Sequence, residues 1–297
     1  MRVGVIDVGS NTARLLVATV RNDGTLTPVA QERTYLRLGA EIERTGTLSK
    51  KKIRVCAATC AAFARRAGEL DVDIATVIVT APGRQSSSSA SLTSALAEAT
   101  GLPVRVLTWE AEGRLAYEGA VAHAQGPLPG AIAVVDIGGG STEVVVGSPR
   151  HGTAWVRSAD LGSLRLTRAH LGGDPPTVRE IAAARGAAAA AFAGINPPSA
   201  ELGLAVGGSA RALAKVVGRR LDTDTLAEAI RLLSRRPAVK AVRSLGISAE
   251  RAETLLAGAL LLDETSRALG IPLELGRGGL REGAALELAE RAAARAA

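Results

Sequence analysis

The sequence predicts an α/β protein of two domains, on three observations. Short β-branched runs alternate with helix-length segments along most of the chain. One hairpin pattern, an apolar run followed by Asp-x-Gly, hydroxyl residues and a second apolar run, occurs twice, at residues 2–20 and at Val134–Val146. Between the two copies lies GPLPG, Gly126 to Gly130, the best boundary in the chain. A length of 297 residues also exceeds most single cores. We therefore expect domains at 1–126 and 127–297, with a last helix able to pack back on the first.

The elements follow in order. Residues 2–20, RVGVIDVGSNTARLLVATV, read as two strands joined through Asp7, Gly9, Ser10, Asn11 and Thr12. A third strand is expected at Leu26–Leu36, then a helix from Ser49, its N-cap, to about Gly68. A short buried strand, Ile74–Thr80, ends at the loop TAPGRQSSSS, where Arg84 offers a planar fork of donors to a phosphate. Helix, strand and helix follow at about Ala90–Thr100, Val104–Leu107 and Trp109–His123. Glu110 and Glu112 lie two apart in the first turn of the last helix, so at most one faces a site. Acids there also complement the helix dipole.

After the boundary comes VVDIGGGSTEVVV, whose three glycines, Gly138, Gly139 and Gly140, with Ser141, allow a sharp turn that presses N–H groups on an anion. Asp136 and Glu143 stand on its rims. A strand at Thr153–Ser158, a loop with Gly162, Ser163 and Arg165 entering a helix, and an Ala-rich helix at Thr177–Ala193 are expected next. Gly203–Val206 is a strand leading into Gly207, Gly208 and Ser209 at a helix N-terminus, a third anion-accepting turn. Helix from Ala249 to Leu269, a strand at Leu273–Leu275 and an amphipathic C-terminal helix complete the chain.

Composition bounds the function. Hydrophobic residues make up 47% and aromatic residues 2%, so the cores are aliphatic and base stacking has little to work with. A net charge of +7, from dispersed arginines, suits a phosphate chain or nucleotide phosphate better than DNA, and no specific nucleic acid is expected. No apolar run is long enough for a membrane span and no signal peptide opens the chain, so no membrane association and a cytoplasmic location are expected. Cys56 and Cys60, the only cysteines, read as small buried residues.

Three phosphate-accepting turns, two with Asp, suggest a divalent cation bridging carboxylates and phosphate oxygens, Mg²⁺ first and Mn²⁺ as the alternative. Phosphoryl transfer to water further needs a base or orienting carboxylate, for which Glu112 and Glu143 are the candidates. The GxxxxGK[ST] loop of the P-loop NTPases is missing, and His123, His151 and His170 lie outside every motif.

These residues resemble the exopolyphosphatase and guanosine pentaphosphate phosphatase (Ppx/GppA) family of the actin, sugar kinase and heat-shock 70 superfamily. The resemblance rests on DVGSNT, RLGAEIERTGTLS, VTAPGR, EAEGRLAYEG, DIGGGSTE, LGSLRL, VGGSARAL, ERAETLLAGALLL and GLREG, which span nearly the whole chain. It implies two ribonuclease H-like (actin-like ATPase) domains with mixed five-stranded sheets around an interdomain cleft, in the short two-domain form. It also implies a homodimer and release of terminal phosphate from inorganic polyphosphate or pppGpp. By this resemblance Glu112, in EGRL, is the catalytic glutamate. Asp7, Asp136 and Glu143 hold metal and water, while Gly9 to Thr12, Arg14, Arg84 and the glycine turns bind phosphates. The chain departs from the family at Ala111, where an acid is usual, and at Ser88, where Asn is usual. A kinase of the superfamily would instead require an acceptor, and a sensor would bind without turnover.

Overall fold

The structure, a computed structural model, describes residues 1–296. They form two compact units, Met1–Ala122 joined by the segment from Leu280 onward, and His123–Gly279.

The first unit opens with β1 (Arg2–Val8), β2 (Thr12–Val20) and β3 (Leu26–Tyr35), a run of antiparallel neighbours. It continues through α1 (Leu38–Thr45), α2 (Lys50–Glu69), β4 (Ile74–Val79), α3 (Ala81–Gln85), α4 (Ser89–Thr100), β5 (Val104–Val106) and α5 (Trp109–Ala122). The sheet order is β3-β2-β1-β4-β5, with β4 parallel to β1 and β5 parallel to β4. Side chains alternate across a strand, so Val3 and Val5 of β1 join one core while Ile6 and Val8 join another. Helices cover both faces, which is why the central strand is apolar on both sides from Val3 to Ile6.

The second unit repeats the scheme. Its elements are β6 (Ile132–Ile137), β7 (Thr142–Ser148), β8 (Gly152–Ala159), α6 (Ser163–His170), α7 (Val178–Phe192), β9 (Leu202–Val206), α8 (Gly207–Val217) and β10 (Arg220–Leu221). They continue with α9 (Thr223–Ser234), α10 (Ala238–Leu245), α11 (Ala249–Ala252), α12 (Leu255–Leu269) and β11 (Leu273–Leu275). Here the order is β10-β11-β9-β6-β7-β8, again three antiparallel strands followed by parallel additions, β9 and β11, with β10 antiparallel at the edge. The last helix, α13 (Leu280–Ala296), belongs to the first unit.

The α/β class and paired mixed sheets agree with the sequence expectation, with three local differences. The second sheet has a sixth strand, β10, whose two residues are too short to leave a periodic pattern. The segment TAPGRQ is a one-turn helix, α3, rather than a loop. Pro82 fits its first turn, where no N–H is required, and Gly83 lets it close on Val106, whose Cγ1 would lie 2.7 Å from an added Cβ. The expected helix from Ala249 to Leu269 breaks between α11 and α12 at Glu253 and Thr254. Cys56 and Cys60 are buried and form no disulfide, and the neighbouring Cys56 side chain together with burial pushes the Cys60 thiol up, away from the reactive thiolate. Among the described residues no helix is long and apolar enough to cross a membrane.

The C-terminal helix is fastened to α5 by backbone and charge. A Cβ on Gly283 would collide with Leu115 O, so only glycine permits this approach of the two helices. One turn further, Glu287 accepts from Arg114 of α5 and from Arg105 of β5, the latter at 2.7 Å. Burial alone would raise the Glu287 carboxyl, but these hydrogen bonds outweigh it and hold it below the ordinary carboxylate value. Its stabilisation is therefore complete above the unfolded value of about 4.3 and is lost as pH falls through the lower folded value. Glu287→Gln is expected to cost about 1–2 kcal/mol, less than a fully buried pair because both arginines are partly solvated. Urea unfolding from about pH 3 to about pH 7, a window of roughly four units that spans that carboxylate value, should show the deficit shrink towards the acid end.

Candidate active site

Each unit has one tight turn between its first two strands. Gly9 N donates to Thr12 O at 2.9 Å, and Gly138 N donates to Ser141 O at 3.0 Å. The carbonyls of both turns are taken by the start of the helix that follows the third strand. In the first unit Ser10 O accepts from Gly39 N at 2.8 Å, and Asn11 O accepts from Leu36 N and Arg37 N at 2.9 and 3.0 Å. In the second, Gly138 O accepts from Ser163 N at 2.9 Å, and Gly139 O accepts from Leu164 N and Arg165 N at 3.0 and 3.1 Å. A trans peptide points its C=O and N–H in opposite directions. The N–H groups of Asn11, Thr12, Gly139 and Gly140 therefore point away from those helices, as an anion cradle requires. Close packing enforces this, since a Cβ on Gly162 would lie 2.5 Å from the Gly139 carbonyl carbon. Ser10 Oγ, on a residue 4% exposed, has no hydrogen-bond partner among the described residues, an orphan hydroxyl inside the first turn.

In the first unit Asp7 lies directly opposite Arg14 across β1 and β2, next to the turn. Glu112 and Arg84 meet elsewhere in the same unit. Arg84 Nη1, from α3, donates to Glu112 Oε2 at 2.7 Å and to Leu107 O at 2.9 Å. Glu112 is 7% exposed while Glu110 is exposed, so burial separates the two acids that spacing alone left open. The carboxylate of Glu112 is thus fixed by a guanidinium that is itself fixed to the backbone.

In the second unit Asp136 and Glu143 are direct cross-strand neighbours on β6 and β7, hence on one face of the sheet. Glu143 is 1% exposed and accepts from Ser158 Oγ of β8 at 2.9 Å. The third turn closes on the same acids. Gly207 has φ +83°, and a Cβ there would fall on Asp136 Oδ1. Gly207, Gly208 and Ser209 begin α8, whose first N–H groups lack helical partners. Asp136, Glu143, Gly138 to Ser141 and Gly207 to Ser209 therefore gather at one end of the second sheet.

Two residues of this neighbourhood escaped the sequence reading. The guanidinium of Arg251, on α11, lies directly over Gly208, where a Cβ would push it aside, and its Nη1 stands 3.4 Å from Ser209 Oγ. Ser158 orients Glu143. An Arg within a helical run and a Ser in a strand carry no local signal, because only the register and the break before α12 bring them to the turns.

Paired glycine turns on twin mixed sheets, with buried acids beside them, define an enzyme that handles phosphate. The model of the Ppx/GppA phosphatase family matches residues 16–292, and the chain belongs to that family. Exopolyphosphatase 1 of Mycobacterium tuberculosis (strain ATCC 25618 / H37Rv) is 33% identical over 300 residues, covering 95% of this chain and 87% of the relative. The crystal structure of the Aquifex aeolicus Ppx/GppA family member matches with a TM-score of 0.84 at 25% identity, covering 98% of both chains. An exopolyphosphatase from Cytophaga hutchinsonii shares the fold, with a TM-score of 0.85 at 20% identity over 95% of this chain and 96% of the other. The chain is accordingly a phosphoanhydride hydrolase.

The packing of Gly207 on Asp136 gives a direct test of the second unit. Gly207→Ala adds a side chain at positive φ and on a carboxylate oxygen, and is expected to cost about 1–3 kcal/mol in urea unfolding. It should lower phosphatase activity further than that destabilisation accounts for at temperatures where the variant stays folded.

Proposed function

We propose that the chain is an exopolyphosphatase that releases the terminal phosphate of inorganic polyphosphate with Glu112 as the base for water. The substrate rests on the similarity to Exopolyphosphatase 1 along 95% of the chain. The role of Glu112 rests on one observation, its burial against Arg84 at 2.7 Å, which fixes one carboxylate oxygen.

In this reading Glu112 takes a proton from water as the water oxygen bonds to the terminal phosphorus. The bridging P–O bond breaks, and its electron pair leaves on the shortened chain. Within each unit, backbone N–H groups are available to phosphate oxygens, those of Asn11 and Thr12 in the first and those of Gly139, Gly140 and Gly207 to Ser209 in the second, and such donors stabilise charge that develops there. Arg14, Arg84 and Arg251 add positive charge, and Ser10 Oγ gains a partner. Such hydrolysis needs positioning and charge neutralisation more than covalent participation by the protein.

The acids fit a Mg²⁺ ion. Asp136 and Glu143 sit directly opposite on one face, and like charges so placed repel unless a cation compensates. Among the described residues no group of three or more His, Cys, Asp or Glu could hold a metal by itself. Mg²⁺ suits that sparse set, because it keeps several waters and binds through one or two carboxylates plus phosphates. Asp136 and Glu143 would hold it, and bound Mg²⁺ would withdraw charge from the phosphate oxygens. A homodimer, which the family suggests, is part of the same reading and is measurable by light scattering.

Glu112→Gln should lower kcat on long-chain polyphosphate by about 10²- to 10⁴-fold, the range of a general base, while KM moves little. Turnover of polyphosphate and of pppGpp should be compared side by side in the wild-type protein. Preferential turnover of pppGpp would reverse the substrate assignment, and undiminished phosphate release by Glu112→Gln would remove Glu112 as the base.

A further inference from the structure

On the sheet of the first unit the row of Asp7 and Arg14 continues to a further arginine, Arg33, that the proposed reaction at Glu112 does not use. Asp7 of β1 lies directly opposite Arg14 of β2, and Arg14 lies directly opposite Arg33 of β3. Directly opposed residues share a sheet face, so these three side chains form one line running from the turn to the edge strand. Adjacent strands are about 4.8 Å apart, which puts Arg33 about 10 Å from Asp7 along that line. In the next row Thr12, the end of the phosphate turn, is opposite Tyr35. Tyr35 is two residues from Arg33 and so on the same face.

Three features mark Arg33 as a binding residue rather than a surface charge. Arg33 lies directly opposite Arg14, so it extends the positive charge beside the first turn to the edge strand. The Arg33 guanidinium stands 4.9 Å over the Tyr35 ring, which orients it without using any of its N–H donors. Among the described residues Arg33 makes no ion pair, and it is exposed on an edge strand. The apolar part of that face is filled farther along the strands by Val3, Val5, Leu16 and Ala18.

We propose that Arg33, held by Tyr35, is a distal phosphate subsite that binds a linear polyphosphate beyond the terminal group held at Gly9 to Thr12. The inference deepens the exopolyphosphatase reading and rests on it for the identity of the substrate. The chemistry favours a phosphate chain over a guanine base, because the guanidinium already occupies a face of the Tyr35 ring and its donors match phosphate oxygens. Arg33 is then a specificity-determining residue for chain length.

The test measures binding and turnover separately. Equilibrium binding of long-chain polyphosphate and of tripolyphosphate is compared between Glu112→Gln and Glu112→Gln/Arg33→Ala proteins. Kinetics on both substrates and on pppGpp are compared between wild type, Arg33→Ala and Arg33→Lys. The subsite predicts that Arg33→Ala lowers the long-chain to tripolyphosphate ratio of kcat/KM about tenfold, mainly through KM. It also predicts a shallower salt dependence of long-chain binding, as a phosphate contact is lost, and only partial rescue by lysine, which has no planar fork. Equal loss on both chain lengths, no loss, or a loss confined to pppGpp would overturn it. If wild-type protein hydrolyses no polyphosphate but Arg33→Ala still selectively weakens long-chain binding, the activity reading fails and the subsite stands.

Discussion

Everything in the site depends on how two short turns spend their carbonyls. A peptide cannot offer its N–H to a phosphate unless its C=O is satisfied on the other side, since a buried unpaired carbonyl is costly. Here the start of α1 takes the carbonyls of Ser10 and Asn11, and the start of α6 takes those of Gly138 and Gly139. The helix N-termini gain acceptors for amides that have no partner inside the helix. The turns gain a fixed orientation in the same exchange. Arg37 is held at φ +51°, an uncommon conformation for a non-glycine residue, as part of this arrangement.

From that constraint the sheet architecture follows. Three antiparallel strands put the turn between the first two and send the third to the helix that seals it. Parallel strands then extend each sheet, and in the second unit β9 delivers α8 and its glycine turn beside Asp136. In the first unit β4 leads to α3 and Arg84, and β5 leads to α5 and Glu112. Each functional group thus lies at or just beyond the end of a strand, where ligands bind in open α/β sheets. The acids are held by what flanks them. Arg84 fixes Glu112, Ser158 fixes part of Glu143, and Gly207 crowds Asp136.

Much of this was legible in the sequence because its signals are local. The doubled Asp-x-Gly hairpins, the Ser49 cap bonded to Lys52 N and the Thr177 capping box with Glu180 are written in a few adjacent residues. Glu112 was singled out through the family resemblance, and burial now supplies the physical distinction from Glu110. What escaped depends on distant partners. The one-turn helix at Ala81–Gln85 reads as a loop because Pro and Gly dominate it, and it closes only against Val79 and Val106. Arg251 and Arg33 look like ordinary surface charges until the fold places one on Gly208 and the other opposite Arg14.

In each unit the backbone N–H groups of the turn, oriented by the helix behind it, are offered to a phosphate group. Amide chemical shifts in the Glu112→Gln protein, titrated with polyphosphate in the presence of Mg²⁺, test it most directly. The account predicts that the amides of Asn11, Thr12, Gly139 and Gly140 move downfield together at saturating ligand, with the largest shifts in the chain. Saturable binding that leaves those four amides in place would contradict it.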